Sequence, residues 1–194
     1  MSNKPRKIAV VVTARATFSR IRTALHAIKD HPDLELKLIL AASVLLDRFG
    51  SAAELIEQDG FTIAAKVFNV LEGSTPTLMA KSTGIGIVEL ATALDQVAPD
   101  MVVTVADRYE TMATALAASY MNIPLAHVQG GEVTGSIDEK VRHAITKLAD
   151  VHLVATKRAA ERVRRMGEEP ARIHHTGCPS IDLAKDVLEE SETD

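Results

Sequence analysis

The sequence predicts an α/β domain built on a doubly wound, mainly parallel sheet. Short, wholly apolar runs such as Ile8 to Thr13 (IAVVVT) and Met101 to Val105 (MVVTV) recur along the chain without polar alternation, as strands buried on both faces do. Helix-length amphipathic segments separate them in regular βα order. The chain has 194 residues, 46% hydrophobic and 25% charged, which suits one domain with a sizeable core.

Taken in order, Ile8 to Thr13 is the first strand, and Phe18 to Asp30 has helical spacing through Ile21, Leu25 and Ile28. His31, Pro32 and Asp33 turn the chain into a second strand, Leu34 to Ala41. A helix over Ser51 to Gln58 stops at Asp59 and Gly60, and a weaker strand follows near Thr62 to Phe68. A loop through Glu72, Gly73, Ser74, Thr75 and Pro76 leads into a long helix, Thr77 to Val97, closed by Pro99 and Asp100. Next come the strand Met101 to Val105, an Ala-rich helix Tyr109 to Tyr120, the strand Ile123 to Val128, and a Gly-rich loop into a helix from Ile137. The strand Val151 to Ala155, a basic helix Lys157 to Met166 and a short strand near Ile173 complete a domain spanning 1–178. Residues 179–194 read as a linker that starts helical and ends acidic.

Composition narrows the function. A net charge of −4 and six aromatic residues, none of them Trp, disfavour nucleic acid as the main partner. The single cysteine, Cys178, cannot form an internal bridge, and no secretory pattern follows Met1, so a reducing, cytoplasmic setting is expected. No apolar run approaches the ~20 residues of a membrane span. Walker, Gly-x-Gly-x-x-Gly, Gly-x-Ser-x-Gly, Cys-x-x-Cys and His-Glu-x-x-His patterns are absent, so a serine hydrolase, a zinc ribbon and a zincin lose support and no metal is expected. Gly84-Ile85-Gly86 lies inside a helical pattern, and the run Lys157, Arg158, Arg162, Arg164, Arg165 with Glu161 reads as a solvated helix face.

In an open parallel sheet, ligands bind beyond the carboxyl ends of the strands, so three loops are the candidates. After the first strand, Arg15, Ser19 and Arg20 suit an anion such as a diphosphate, or else are solvent-facing groups beyond an N-cap at Thr17. After the strand ending at Val105, Asp107 and Arg108 enter a helix, where Asp107 is either a cap or a catalytic carboxylate. The third loop holds His127, Gln129, Gly130, Gly131, Glu132, Ser136, Asp138, Glu139, Arg142 and His143. Its glycines permit close backbone approach to a ligand. Ser136 and Glu139 have capping-box spacing, Asp138 and Arg142 share a helix face, and His127 reads either as a core histidine or as a site residue.

The run from His127 to Ala149 (HVQGGEVTGSIDEKVRHAITKLA) resembles the hydrolysing UDP-N-acetylglucosamine 2-epimerases of the sialic and legionaminic acid type. Asp107-Arg108, Met121-Asn122-Ile123-Pro124, the stretch Leu45 to Gly50, the stretch Ile56 to Gly60 and Gly177-Cys178-Pro179-Ser180-Ile181-Asp182 add matches across essentially the whole chain. The resemblance implies a Rossmann-like N-terminal half of a glycosyltransferase-B-like fold and a C-terminal domain missing from this chain; a domain cut from a larger enzyme exposes its interdomain face, so a homo-oligomer is expected. The resemblance also implies elimination of UDP to a glycal and then hydration to N-acetylmannosamine, without a cofactor. On the family pattern Asp107 matches a catalytic carboxylate and is the first choice for acid or base, and Asp138 matches an acidic position; the departures at Gln129 and Val44 leave the role open among Asp107, Glu132 and Asp138. Arg15, Ser19, Arg20, Arg108, His127, Gln129, Gly130, Gly131, Ser136, Arg142 and His143 are then the substrate-binding set. Gln129 stands where many members carry Glu, and Val44 where some carry a functional His. A non-catalytic sugar-nucleotide-binding or assembly module is the rival reading.

Overall fold

The structure, a computed structural model, describes residues 4–46, 52–73, 75–106 and 108–191, with side chains through 185. Seven strands form one sheet: β1 (Arg6–Val12), β2 (Leu34–Ala41), β3 (Ile63–Val67), β4 (Met101–Val105), β5 (Leu125–Val128), β6 (Val151–Val154) and β7 (Ile173–His175). Their order is β3-β2-β1-β4-β5-β6-β7 and every pairing is parallel, so the doubly wound prediction holds throughout. The order reverses between β1 and β4, where successive crossovers pass to opposite faces and leave a crevice above the strand ends.

Helices cover both faces: α1 (Arg15–Asp30), α2 (Ala52–Gln58), α3 (Pro76–Val97), α4 (Tyr109–Tyr120), α5 (Ile137–Leu148), α6 (Lys157–Arg165) and α7 (Pro179–Ser191). Alternate residues of each strand supply the two cores. Ala9 and Val11 pack with Leu90 and Leu94 of α3, Ala113 and Ala117 of α4 and Ile145 of α5. Val10 and Val12 face the opposite way, onto Ile21 and Leu25 of α1 and Ile56 of α2. With apolar layers on both sides, a strand gains nothing from polar alternation, which is why the runs read as continuous. Burying each Leu or Ile here contributes roughly 1.5–3 kcal/mol.

The Ala-rich pattern of α4 and Gly86 of α3 have one cause, whereas Gly84 faces open space. A Cβ on Gly86 would stand 2.7 Å from Asn69 Nδ2 and 2.8 Å from Ala113 Cβ, so α3 and α4 pack closer than side chains allow. Caps set several helix starts: Thr75 accepts from Leu78 N and Thr156 from Ala159 N. The expected cap at Thr17 is corrected. Helix α1 begins at Arg15 behind Ala14, and Thr17 is buried in its first turn. Residues 179–191, read as a linker with a helical start, form α7. Leu183 of α7 shares a groove with Phe18 and Arg22 of α1. On α6, Glu161 accepts from Arg164 and Arg165, the solvated face the sequence suggested.

Candidate functional site

A crevice of about 690 Å³ opens above the carboxyl ends of β1, β4 and β5, at the point where the strand order reverses. The chain leaves three strands through a left-handed residue that is not glycine: Ala42 after β2 (φ 59°), Ala106 after β4 (φ 64°) and Gln129 after β5 (φ 65°). Each such conformation costs on the order of 1–3 kcal/mol and persists only where the surroundings enforce it. Here they do. Asn69 Oδ1 accepts from Ala42 N at 2.9 Å, Ala106 N donates to Val128 O at 3.0 Å, and Gln129 N donates to Leu153 O at 2.9 Å.

Five segments bring side chains to the crevice. Thr17 and Arg20 come from α1, Arg108 from the entrance to α4, Gln129, Glu132 and Thr134 from the loop after β5, and Asp138 and Arg142 from α5; Cys178 and Ser180 close one end. Three guanidinium groups thus face two carboxylates among the described residues. Arg142 is 4% exposed, and burial, followed by the charge of Arg20, pulls its pKa below the ordinary arginine value. Arg108 moves the other way, raised by its hydrogen bonds to the Glu110 carboxylate, with Asp138 adding a smaller effect. Gln129 is buried and donates from Nε2 to Cys178 Sγ at 3.2 Å. Cations fit to hold a diphosphate and carboxylates fit to move a proton therefore share one cleft.

Other predicted site residues lie elsewhere. Asp107, with Asp47, Arg48, Phe49 and Gly50, lies outside the described residues. His127, expected to touch substrate, is fully buried: Nε2 lies 2.9 Å from Ala106 O and Nδ1 lies 3.2 Å from Thr146 Oγ1. A carbonyl only accepts, so Nε2 carries the proton, and burial lowers the imidazole pKa to about 4. The reading as a core histidine is therefore the one the geometry supports, and its work is to clamp the strained Ala106. Ser19 donates to Arg15 O and faces the groove beside Leu183, while Arg15 is exposed and is not among the groups lining the crevice.

The glycines are also reassigned. A Cβ on Gly130 would lie 3.0 Å from His127 Nδ1, and one on Gly131 would lie 2.5 Å from Ala159 O of α6. Both let the loop settle onto the protein beneath it, and neither is among the residues that line the crevice. Ser136 caps α5 by accepting from Asp138 N, and Glu139 accepts from Thr134 N and Gly135 N, the structural duty its spacing suggested. That double acceptance holds the Glu139 carboxyl below its usual range. His143 sits 4.0 Å from Glu139 Oε1, away from the crevice lining. Val44 is buried in the core under α1. Among the described residues no group of three His, Cys, Asp or Glu stands close enough to hold a metal ion, and no helix is long and apolar enough to cross a membrane.

Sequence reasoning missed Glu110 and left Thr17, Thr134 and Ser180 out of the substrate-binding set although it placed each in or beside a candidate stretch. Glu110 was legible only as the third residue after Asp107 in a helix start; its complete burial depends on α3 and the turn after β3.

Comparison with known proteins gives a consistent picture. A family model described as UDP-N-acetylglucosamine 2-epimerase matches residues 26–194. A Legionella pneumophila protein named UDP-N,N'-diacetylbacillosamine 2-epimerase (hydrolyzing) is 34% identical over 91% of this chain and 47% of its own length. UDP-N-acetylglucosamine 2-epimerase of Neisseria meningitidis is 31% identical over 92% of this chain and 46% of its own length. The chain therefore spans about half the length of the curated relatives it matches. The crystal structure of the UDP-GlcNAc 2-epimerase from Methanocaldococcus jannaschii in complex with UDP-GlcNAc and UDP superposes with a TM-score of 0.83 at 20% identity, over 97% of this chain and 51% of that one. At that identity the likeness establishes the fold.

Proposed function

Because the chain belongs to the UDP-N-acetylglucosamine 2-epimerase family, we propose that it is the N-terminal half of a hydrolysing sugar-nucleotide 2-epimerase. The observation that carries this reading is the convergence of Arg20, Arg108 and Arg142 with Glu132 and Asp138 in one crevice. The arginines hold the diphosphate and take up the charge that develops as it leaves. A carboxylate removes the proton from C2 of the sugar while the C1–O bond to UDP breaks, giving a C1=C2 glycal. Water then adds at C1 and a proton returns to C2 from the opposite face, which yields the free 2-epimer and needs no redox partner. Asp107, next in sequence to the clamped Ala106, is the first choice for the proton transfer, with Glu132 and Asp138 as its partners. Gln129 carries an amide and so orients rather than titrates.

UDP-N-acetylglucosamine and UDP-linked diacetylated sugars are the proposed substrates, on the strength of the relatives' names. The second reading, a binding module without turnover, draws on Gln129 being tied to Cys178 where a titrating carboxylate would stand. UDP release from both substrates, by this chain alone and joined to the sequence encoded after it, separates the readings. Turnover that requires the joined form supports the epimerase; binding without turnover in either form supports the module.

A further inference from the structure

Arg108 is held unusually firmly for a half-exposed arginine. Its carbonyl, at the N-cap of α4, accepts from Thr111 N at 2.9 Å and also from Thr111 Oγ1. Its guanidinium meets Glu110 side-on: Nη2 donates to Oε1 at 3.1 Å and Nε to Oε2 at 3.1 Å. Glu110 is 1% exposed, whereas the Arg108 side chain is 52% exposed. The pair stands between two spaces. Arg108 lines the crevice, and both residues line a smaller cavity of about 240 Å³ beside Ser43, Leu78 and Met79. Glu110 does not reach the crevice.

A fully buried carboxylate is costly to keep ionised unless its partner geometry is good, and replacing such a pair by apolar groups is often neutral for stability. Stability alone is therefore a weak reason for this pair. Its geometry suggests another. Side-on pairing consumes the Nε and Nη2 edge of the fork, and the Nη1 edge makes no bond to a described residue. One rotamer is thereby selected, on a residue that lines the crevice.

We propose that Glu110 is a positioning residue for the reaction: without touching the substrate, it fixes the Arg108 guanidinium so that its free edge meets the diphosphate of the sugar nucleotide. This inference rests on the epimerase reading above. Two effects oppose each other. The Glu110 charge weakens the field that Arg108 offers an anion, while its hydrogen bonds remove rotamer freedom that binding would otherwise have to remove. Immobilising one long side chain corresponds to roughly a three- to tenfold change in affinity. The field effect reaches the ligand through the half-exposed Arg108 and an open crevice, where solvent screens it. Positioning therefore outweighs neutralisation.

UDP titrated to millimolar concentration into the isotope-labelled chain, followed by NMR chemical shifts, tests this. Glu110→Gln keeps the shape and removes the charge; it should weaken UDP binding roughly three- to tenfold and have no further effect in an Arg108→Ala background. Glu110→Asp keeps the charge but shortens the reach, and it should weaken binding as well. Thermal unfolding run alongside shows that each variant is folded. If Glu110→Gln binds UDP as well as or more tightly than the original chain while Arg108→Ala binds less, the positioning role is overturned and the epimerase reading stands. If neither the original chain nor its joined form shows UDP-dependent shifts at the crevice, both fall together.

Discussion

Replacing Gly131 by Ala tests whether the loop after β5 is shaped by packing or by ligand approach. At Gly131 the backbone φ is +79°, and an added Cβ lies 2.5 Å from Ala159 O and 2.8 Å from Val163 Cγ2. The left-handed conformation alone costs an alanine roughly 1–2 kcal/mol. The clash is with a helix carbonyl and a buried Val side chain, neither of which can retreat without moving α6, so overpacking adds roughly 1–3 kcal/mol. Gly135→Ala supplies the control: φ is +73° there too, yet nothing lies within 4 Å of the added carbon. Urea unfolding should therefore show Gly131→Ala less stable by about 2–5 kcal/mol and Gly135→Ala by about 1–2 kcal/mol, with unchanged m-values. Equal losses would refute the packing argument, and a Gly131→Ala chain of normal stability that fails to bind UDP would restore the ligand-approach reading.

Three further outcomes follow from the site. His127 has a folded pKa depressed by burial to about 4, below its unfolded value of 6.5, so its contribution is complete above pH 6.5 and is lost as pH falls toward 4. That loss amounts to about 3 kcal/mol, and His127→Gln should flatten the slope of denaturant stability against pH between those values; His152, also depressed by burial and opposed by Glu168, leaves a smaller slope of the same sign. In the joined, active form, Asp107→Asn and Asp138→Asn should each lower turnover by roughly 10²–10⁴ with the unfolding midpoint preserved, and near-normal rates would remove them from the proton path. Ser136→Ala removes the cap bond to Asp138 N and should cost about 1 kcal/mol in thermal or urea unfolding; a change near zero would show the bond to be dispensable.

Much of the fold was legible because it rests on short-range regularities. Apolar-rich runs marked all seven strands, and turn residues such as Gly60 and Asp100 marked the ends of elements. The start of α1 was misplaced by three residues because Ala14, not a side-chain cap, precedes it, and backbone geometry of that kind leaves no residue signature. The crevice was legible in outline, since polar residues after β1, β4 and β5 must meet once the sheet is parallel and reverses between β1 and β4.

Which of those polar residues meet was a different matter. Arg20 and Ser19 are neighbours in sequence, yet a helix turns successive side chains about 100° apart, so one enters the crevice and the other faces the groove at α7. His127 and Gln129 sit two apart, but β5 ends between them. His127 stays in the strand and points under the loop, where Ala106 and Thr146 saturate it, while Gln129 turns through a positive φ into the crevice. Sequence alone determined the parallel α/β architecture, the family and the neighbourhood of the site, because hydrophobic period and motif are properties of a stretch of chain. Only the tertiary structure decided which side chains line the crevice and which support it, because that depends on what approaches from α6, α7 and the neighbouring strands.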